Sequence, residues 1–115
     1  MDLDVRLEID ESEIPEKLKI TCYRLVQECF NNAAKHSNAD KLQLYMVRSG
    51  AFLDLIISDN GKGFDVAETI NMSVENNSLG LQGMIERVEL AGGEIEIISN
   101  KGQSTKIKIQ LPLDT

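Results

Sequence analysis

Between Glu16 and about His36 the chain holds one period. Leu18, Cys22, Leu25, Val26, Cys29 and Ala33 recur at steps of three and four, the spacing that puts apolar side chains on one stripe of a helix. Pro15 stands just before it, at a place where its missing N–H costs nothing, and Ser37-Asn38-Ala39-Asp40 ends it with residues that favour turns. A helix of this length with a single apolar stripe must lie on another apolar surface. The rest of the chain offers that surface in period two.

Val5, Leu7 and Ile9 alternate with polar residues over Asp4–Asp10, which predicts a half-buried strand. Lys41 to Arg48 alternates again, Ser49-Gly50 is a two-residue turn signal, and Phe52 to Ser58 returns as the second strand of a hairpin. Leu81, Met84, Val88 and Ala91 predict a second helix, with Gly92-Gly93 as its left-handed cap. A second hairpin follows: Glu94 to Ile98, a turn at Asn100-Lys101-Gly102, then Thr105 to Leu111, closed by Pro112. The order is strand, long helix, hairpin, loop, helix, hairpin. It predicts an α+β fold: a two-layer α/β sandwich, with a mixed sheet of about five strands and its helices on one face. One domain spans residues 1–115, large enough to bury roughly two thirds of its unfolded surface.

Composition removes several function classes. The net charge of −7 opposes nucleic-acid or anionic-membrane binding, which calls for a basic surface. It still allows one anionic ligand where cations, amide dipoles or a metal are concentrated. No run approaches the about 20 apolar residues of a membrane span, and the acidic start Met1-Asp2-Leu3-Asp4 is unlike a signal peptide. Cys22 and Cys29 both fall on the apolar stripe of the long helix, which predicts reduced core thiols and a cytoplasmic setting.

Two stretches carry the chemistry. The first is Asp59-Asn60-Gly61-Lys62-Gly63-Phe64, directly after the apolar strand. It leaves a carboxylate at the strand exit and then turns sharply through glycines that accept positive φ and close approach. That builds a nucleotide pocket; a tight surface turn has the same wording. It is neither a dinucleotide fingerprint, since Val66 stands where a third glycine would be, nor a P-loop. The second is Glu28, Asn32 and Lys35, which form a polar strip beside the apolar stripe. Such a strip lines a cleft, or is a solvated flank. Residues 65–78 are polar and aperiodic, as in a mobile functional loop.

Taken together, four blocks resemble a known family. Gln27-Glu28-Cys29-Phe30-Asn31-Asn32-Ala33-Ala34-Lys35-His36-Ser37, then Asp59 to Phe64, then Gly80-Leu81-Gln82-Gly83-Met84, then Gly102-x-x-Thr105 resemble the N, G1, G2 and final boxes of sensor histidine-kinase ATP-binding domains. The fold is shared with gyrase, MutL-type ATPases and the Hsp-ninety class of chaperones. The wording is similar to the branch whose partners carry LuxR-type output domains. The final box departs from the pattern, because Gly102-Gln103-Ser104-Thr105 lacks the second glycine before the threonine.

The resemblance implies ATP and Mg²⁺ as ligands and γ-phosphoryl transfer to a histidine on a separate dimerisation domain. Asp59 would accept a hydrogen bond from the adenine amine and reject guanine, which has a carbonyl there. Gly61 and Gly63 would clear space for the base, and Thr105 would reach it through its hydroxyl or a water. Asn32 would hold Mg²⁺ through its amide oxygen, the remaining ligands being phosphates and water. Gly80, Leu81 and Gly83 would set a helix start against the phosphates. Lys35 would be a phosphate cation, His36 a phosphate-facing or structural residue, and Glu28 the base or water-orienting residue. Residues 65–78 would be the ATP lid. No stretch reads as the dimerisation helix, so the implied partners are a histidine-bearing dimerisation domain and a downstream response regulator, with no nucleic acid and no direct membrane contact. The isolated domain would be a monomer within a homodimeric parent. The alternatives on this fold are a serine kinase of the anti-sigma type, another ATPase, or a module that binds ATP and transfers nothing.

Overall fold

The computed structural model describes residues 2–35, 38–63, 81–100, 102 and 104–113. The predicted loop 65–78, Phe64, His36 and Gly80 lie outside the described residues, as does the side chain of Lys35. The elements run in the predicted order: β1 (Asp2–Glu8), a short 3-10 turn (Glu11–Glu13), α1 (Glu16–Lys35), β2 (Lys41–Ser49), β3 (Phe52–Asp59), α2 (Leu81–Leu90), β4 (Glu94–Ile98) and β5 (Thr105–Pro112).

The five strands form one sheet in the order β1-β2-β3-β5-β4. β1 pairs parallel with β2, and every other pair is antiparallel. The mixed character follows from connectivity. Hairpins join β2 to β3 and β4 to β5, whereas β1 reaches β2 through α1, and a helical crossover produces a parallel pair.

Register aligns the inward residues into rows across the sheet. One row is Leu7, Met46, Leu55, Ile109 and Ile95; the next is Val5, Leu44, Ile57, Ile107 and Ile97. Against the central part of these rows lie Leu18, Cys22, Leu25, Cys29 and Ala33 of α1 and Leu81, Met84 and Val88 of α2. Leu25, Leu53, Leu55, Leu81, Val88 and Leu111 have no exposed surface, and burying each such side chain contributes about 1.5–3 kcal/mol. Cys22 and Cys29 are free, buried thiols, as expected.

β1 departs from expectation. It begins two residues earlier, ends at Glu8, and is exposed along its whole length. Leu3, Val5 and Leu7 point to the same face as buried Leu42, Leu44 and Met46, yet remain 50%, 46% and 60% exposed. Alternation assigned the face correctly and the burial wrongly, because β1 is an edge strand. Only Ile9, just past the strand, packs on the core.

The helix caps follow the sequence. Gly92 takes φ +78, and the N–H groups of Gly92 and Gly93 return to the carbonyls of Glu89 and Val88, closing α2 with a left-handed residue. Asn38, at φ 55, turns the chain after α1 in a conformation that asparagine tolerates better than most residues. The first hairpin turns at Gly50-Ala51, one residue later than predicted, because Ser49 still pairs with Phe52.

Candidate functional site

The apolar rows stop at one end of the sheet. The next row reads Leu3, Leu42, Asp59, Thr105 across four strands, and Ser99, just past β4, meets the Thr105 hydroxyl at 2.8 Å. Three polar side chains on adjacent strands thus border the core. Thr105 is 4% exposed and Ser99 7%. Ser99 escaped the sequence reading, although the alternation Ile95, Ile97 carried one step further places it on the inner face.

Asp59 is the last residue of β3 and is half-buried. Its Oδ1 accepts a 2.8 Å hydrogen bond from the Gly61 N–H, and the backbone N–H of Thr105 also favours its charged form. Burial pushes its pKa above the ordinary 3.8, and the two N–H groups pull it part of the way back. Desolvation is the larger effect, so the charge is held with fewer donors than it would have in water. A carboxylate in that condition gains from one more donor.

The turn after Asp59 is fastened on both sides. Asn60 Oδ1 accepts the N–H groups of Asp40 and Lys41, each at 2.9 Å. The Lys62 carbonyl accepts the N–H of Gly102 from the β4–β5 turn. Of the two glycines expected to use positive φ, only Gly63 does, at φ 67. Gly61 serves through its N–H instead. Asn60 is the other residue the motif reading missed; only strand order reveals that its side chain ties the entrance of β2 to this turn.

The second half of α1 lies above this end of the sheet. The Cys29 thiol is buried, and its pKa is pushed up to about 12 by burial and then by the negative charges of Glu28 and Asp59. Asp59 at the end of β3 thus acts on a buried thiol of α1. Glu28 is half-buried there.

Asn32, one turn beyond Cys29, is 7% exposed, and its Nδ2 is buried with no hydrogen-bond partner among the described residues. An orphaned buried donor costs about 1–3 kcal/mol, so the fold tolerates a strain that an incoming acceptor would relieve. The same amide carries a hard oxygen. Among the described residues no group of three or more His, Cys, Asp or Glu side chains could hold a metal. A cation here would take the Asn32 amide oxygen and complete its shell with water and ligand oxygens, a set that suits Mg²⁺.

At the start of α2 two of the three expected residues, Leu81 and Gly83, are described, and they divide. Leu81 has no exposed surface and its side chain belongs to the core, leaving only its backbone to face a ligand. Gly83 is exposed, and a Cβ there would meet nothing within 4 Å. No acidic side chain occupies the first turn of α2, so its N-terminal dipole is unopposed there. Lys62 is exposed. A groove of about 600 Å³ on the outer face, between Asp54, Ile56, Glu96 and Lys108, is separate from the Asp59–Thr105–Ser99 row. No helix among the described residues is long and apolar enough to cross a membrane.

Residues 18–115 match the family model described as histidine kinase-, DNA gyrase B-, and HSP90-like ATPase. The chain is 38% identical over 106 residues to the signal transduction histidine-protein kinase/phosphatase DegS of Bacillus subtilis, covering 92% of this chain and 27% of that protein. It is 32% identical over 111 residues to the sensor histidine kinase LiaS of the same organism, covering 96% of this chain and 29% of that protein. It is 34% identical over 107 residues to the sensor protein VraS of Staphylococcus epidermidis, covering 93% of this chain and 29% of that protein. The chain thus spans under a third of the length of these relatives. The histidine kinase domain of the blue-light activated kinase from Erythrobacter litoralis superposes with a TM-score of 0.77 at 23% identity, over 97% of this chain and 51% of that one.

Proposed function

The chain belongs to the histidine kinase-, DNA gyrase B- and HSP90-like ATPase family, and from that premise we propose that it is the ATP-binding domain of a sensor histidine kinase. It binds MgATP and transfers the γ-phosphoryl group to a histidine on a separate dimerisation domain, and a response regulator then takes that group. Identity to DegS, LiaS and VraS over more than nine tenths of the chain supports the kinase branch over other ATPases of the family. The branch partnered with LuxR-type regulators follows from the same relatives.

The observation that carries the reading is the half-buried Asp59 carboxylate, short of donors and set in a row of hydroxyls. Asp59 accepts the exocyclic amine of adenine. A guanine carbonyl in that place would face a carboxylate with no proton between them, which is why the site selects ATP. Asn32 presents its amide oxygen to the metal and its Nδ2–H to a phosphate oxygen, which satisfies the orphaned donor. Magnesium, when bound, neutralises the triphosphate and holds its oxygens in line for transfer. The N-terminal turn of α2 faces the phosphates with free N–H groups, Gly83 leaving room for them. Lys35 adds a cation, and Glu28 orients or accepts the proton of the incoming imidazole. The roles that the resemblance implies for His36 and Gly80 fall outside the described residues.

Two measurements test the proposal. Calorimetry with ATP and ADP, with and without Mg²⁺, should give saturable binding that Mg²⁺ strengthens. Incubation of the chain with γ-labelled ATP and a histidine-bearing dimerisation domain should give an acid-labile, base-stable label on that domain. Acid-stable label on serine would move the chain to the serine-kinase class, and absence of binding would reject the nucleotide reading.

A further inference from the structure

Ser99 has no role in the scheme above, yet it is 7% exposed and its Oγ lies 2.8 Å from Thr105 Oγ1. Thr105 is 4% exposed and stands opposite Asp59 in the β3–β5 register. In a pair of hydroxyls one proton lies between the oxygens, and either group can supply it. The direction of that bond decides what Thr105 offers beside the Asp59 carboxylate.

The two directions have different consequences. If Thr105 donated to Ser99, the wall would present the carboxylate oxygens and then more lone pairs, two acceptors side by side. If Ser99 donates, the wall presents an acceptor at Asp59 and then a donor at Thr105. Adenine displays the complement along its edge: a donor at the 6-amine, then an acceptor at ring nitrogen N1. Guanine displays an acceptor at O6 and a donor at N1–H, opposed at both places. Directly opposed strand residues stand about 4.5–5.5 Å apart at Cβ, close enough for both to serve one purine edge, with or without a bridging water.

We infer that Ser99 is a positioning residue for purine selection: its hydroxyl donates to Thr105 Oγ1 and so turns the Thr105 proton toward N1 of adenine. This rests on the MgATP reading of the cleft. It gives the base two reading points, Asp59 for the amine and Thr105 for N1, and makes the second depend on a residue that need not touch the ligand.

The test compares ATP with 1-deaza-ATP, in which N1 is a C–H and the amine is kept, on the full chain by calorimetry. The unaltered chain should bind ATP about tenfold more tightly, the worth of one hydrogen bond in a desolvated site. Ser99→Ala should lose most of that ratio by weakening ATP alone, and Ser99→Thr, which keeps the hydroxyl, should restore it. Equal affinity of the unaltered chain for the two nucleotides would overturn the inference without any variant. So would a Ser99→Ala chain that weakens both by the same factor, the mark of a merely structural residue. If the unaltered chain binds neither nucleotide, the MgATP reading itself has failed, and that result is distinct from both.

Discussion

Thr105 stands directly across the β3–β5 ladder from Asp59, and its backbone N–H favours the charged form of the Asp59 carboxylate. In the proposed scheme the strand that closes the core also stands opposite the group that reads the base. The carboxylate is held by the Gly61 N–H, and it sits at the end of a strand paired on both sides.

Asp59→Asn keeps the shape and removes the charge. ATP affinity should fall about 10- to 150-fold, the range for a hydrogen bond to a charged group. Without ligand the variant should melt at or above the temperature of the unaltered chain, since desolvation penalises the charge it removes. Calorimetry and a thermal melt on the same sample check both halves.

The pH dependence has a defined sign. The pKa of Asp59 in the folded chain is raised above 3.8, so between those two values the native state binds more protons than the unfolded one. The contribution of this group to stability is greatest in acid and declines as pH rises through the folded pKa. Ligand binding runs the other way, because the protonated acid no longer offers a full anionic acceptor. ATP affinity should fall on acidification and begin to fall above the range of an ordinary aspartate. In Asp59→Asn this part of the profile should be flat.

Asn32→Ala should spare binding of metal-free nucleotide and abolish the gain from Mg²⁺. It should also leave the unliganded domain as stable or slightly more so, since it deletes a buried donor that has no partner among the described residues. Titration of ADP with and without Mg²⁺, beside a denaturant melt, separates the metal role from a packing role.

Two glycines should respond in opposite ways. Gly93→Ala puts a methyl against the Gln110 carbonyl oxygen and the Leu111 side chain, and should destabilise the fold by about 1–3 kcal/mol. Gly83 lies inside α2 with open space beyond it, so Gly83→Ala should stabilise the helix by up to about 1 kcal/mol. If phosphates approach there, the same change should weaken nucleotide binding. Thermal melts rank the two variants, and ATP titration of Gly83→Ala tests the approach.

Much of this site was readable from residues alone. A strand ending in Asp-x-Gly-x-Gly located Asp59, and helical spacing put Glu28 and Asn32 beside the apolar stripe of α1. Those signals are local, and local periodicity survives folding. What was hidden depends on strand order. Thr105 was named through the final box, but Ser99 joins the Asp59–Thr105 row only because β5 lies between β3 and β4. The clamp of Asn60 on Asp40 and Lys41 exists only because β2 lies on the other side of β3. The exposure of Leu3, Val5 and Leu7 has the same origin, since period two reports which face a residue occupies and not whether its strand is central.

The tie between the Lys62 carbonyl and the Gly102 amide, with the grip of Asn60 on the start of β2, fixes the turn proposed to hold the purine before any ligand arrives. Such a floor treats substrate and spent product alike, because both carry the same base. Affinity gained there is shared by ATP and ADP and cannot by itself raise turnover. On the proposed reading, discrimination between ATP and ADP would fall to the phosphate end alone, and ADP would compete with ATP for this floor.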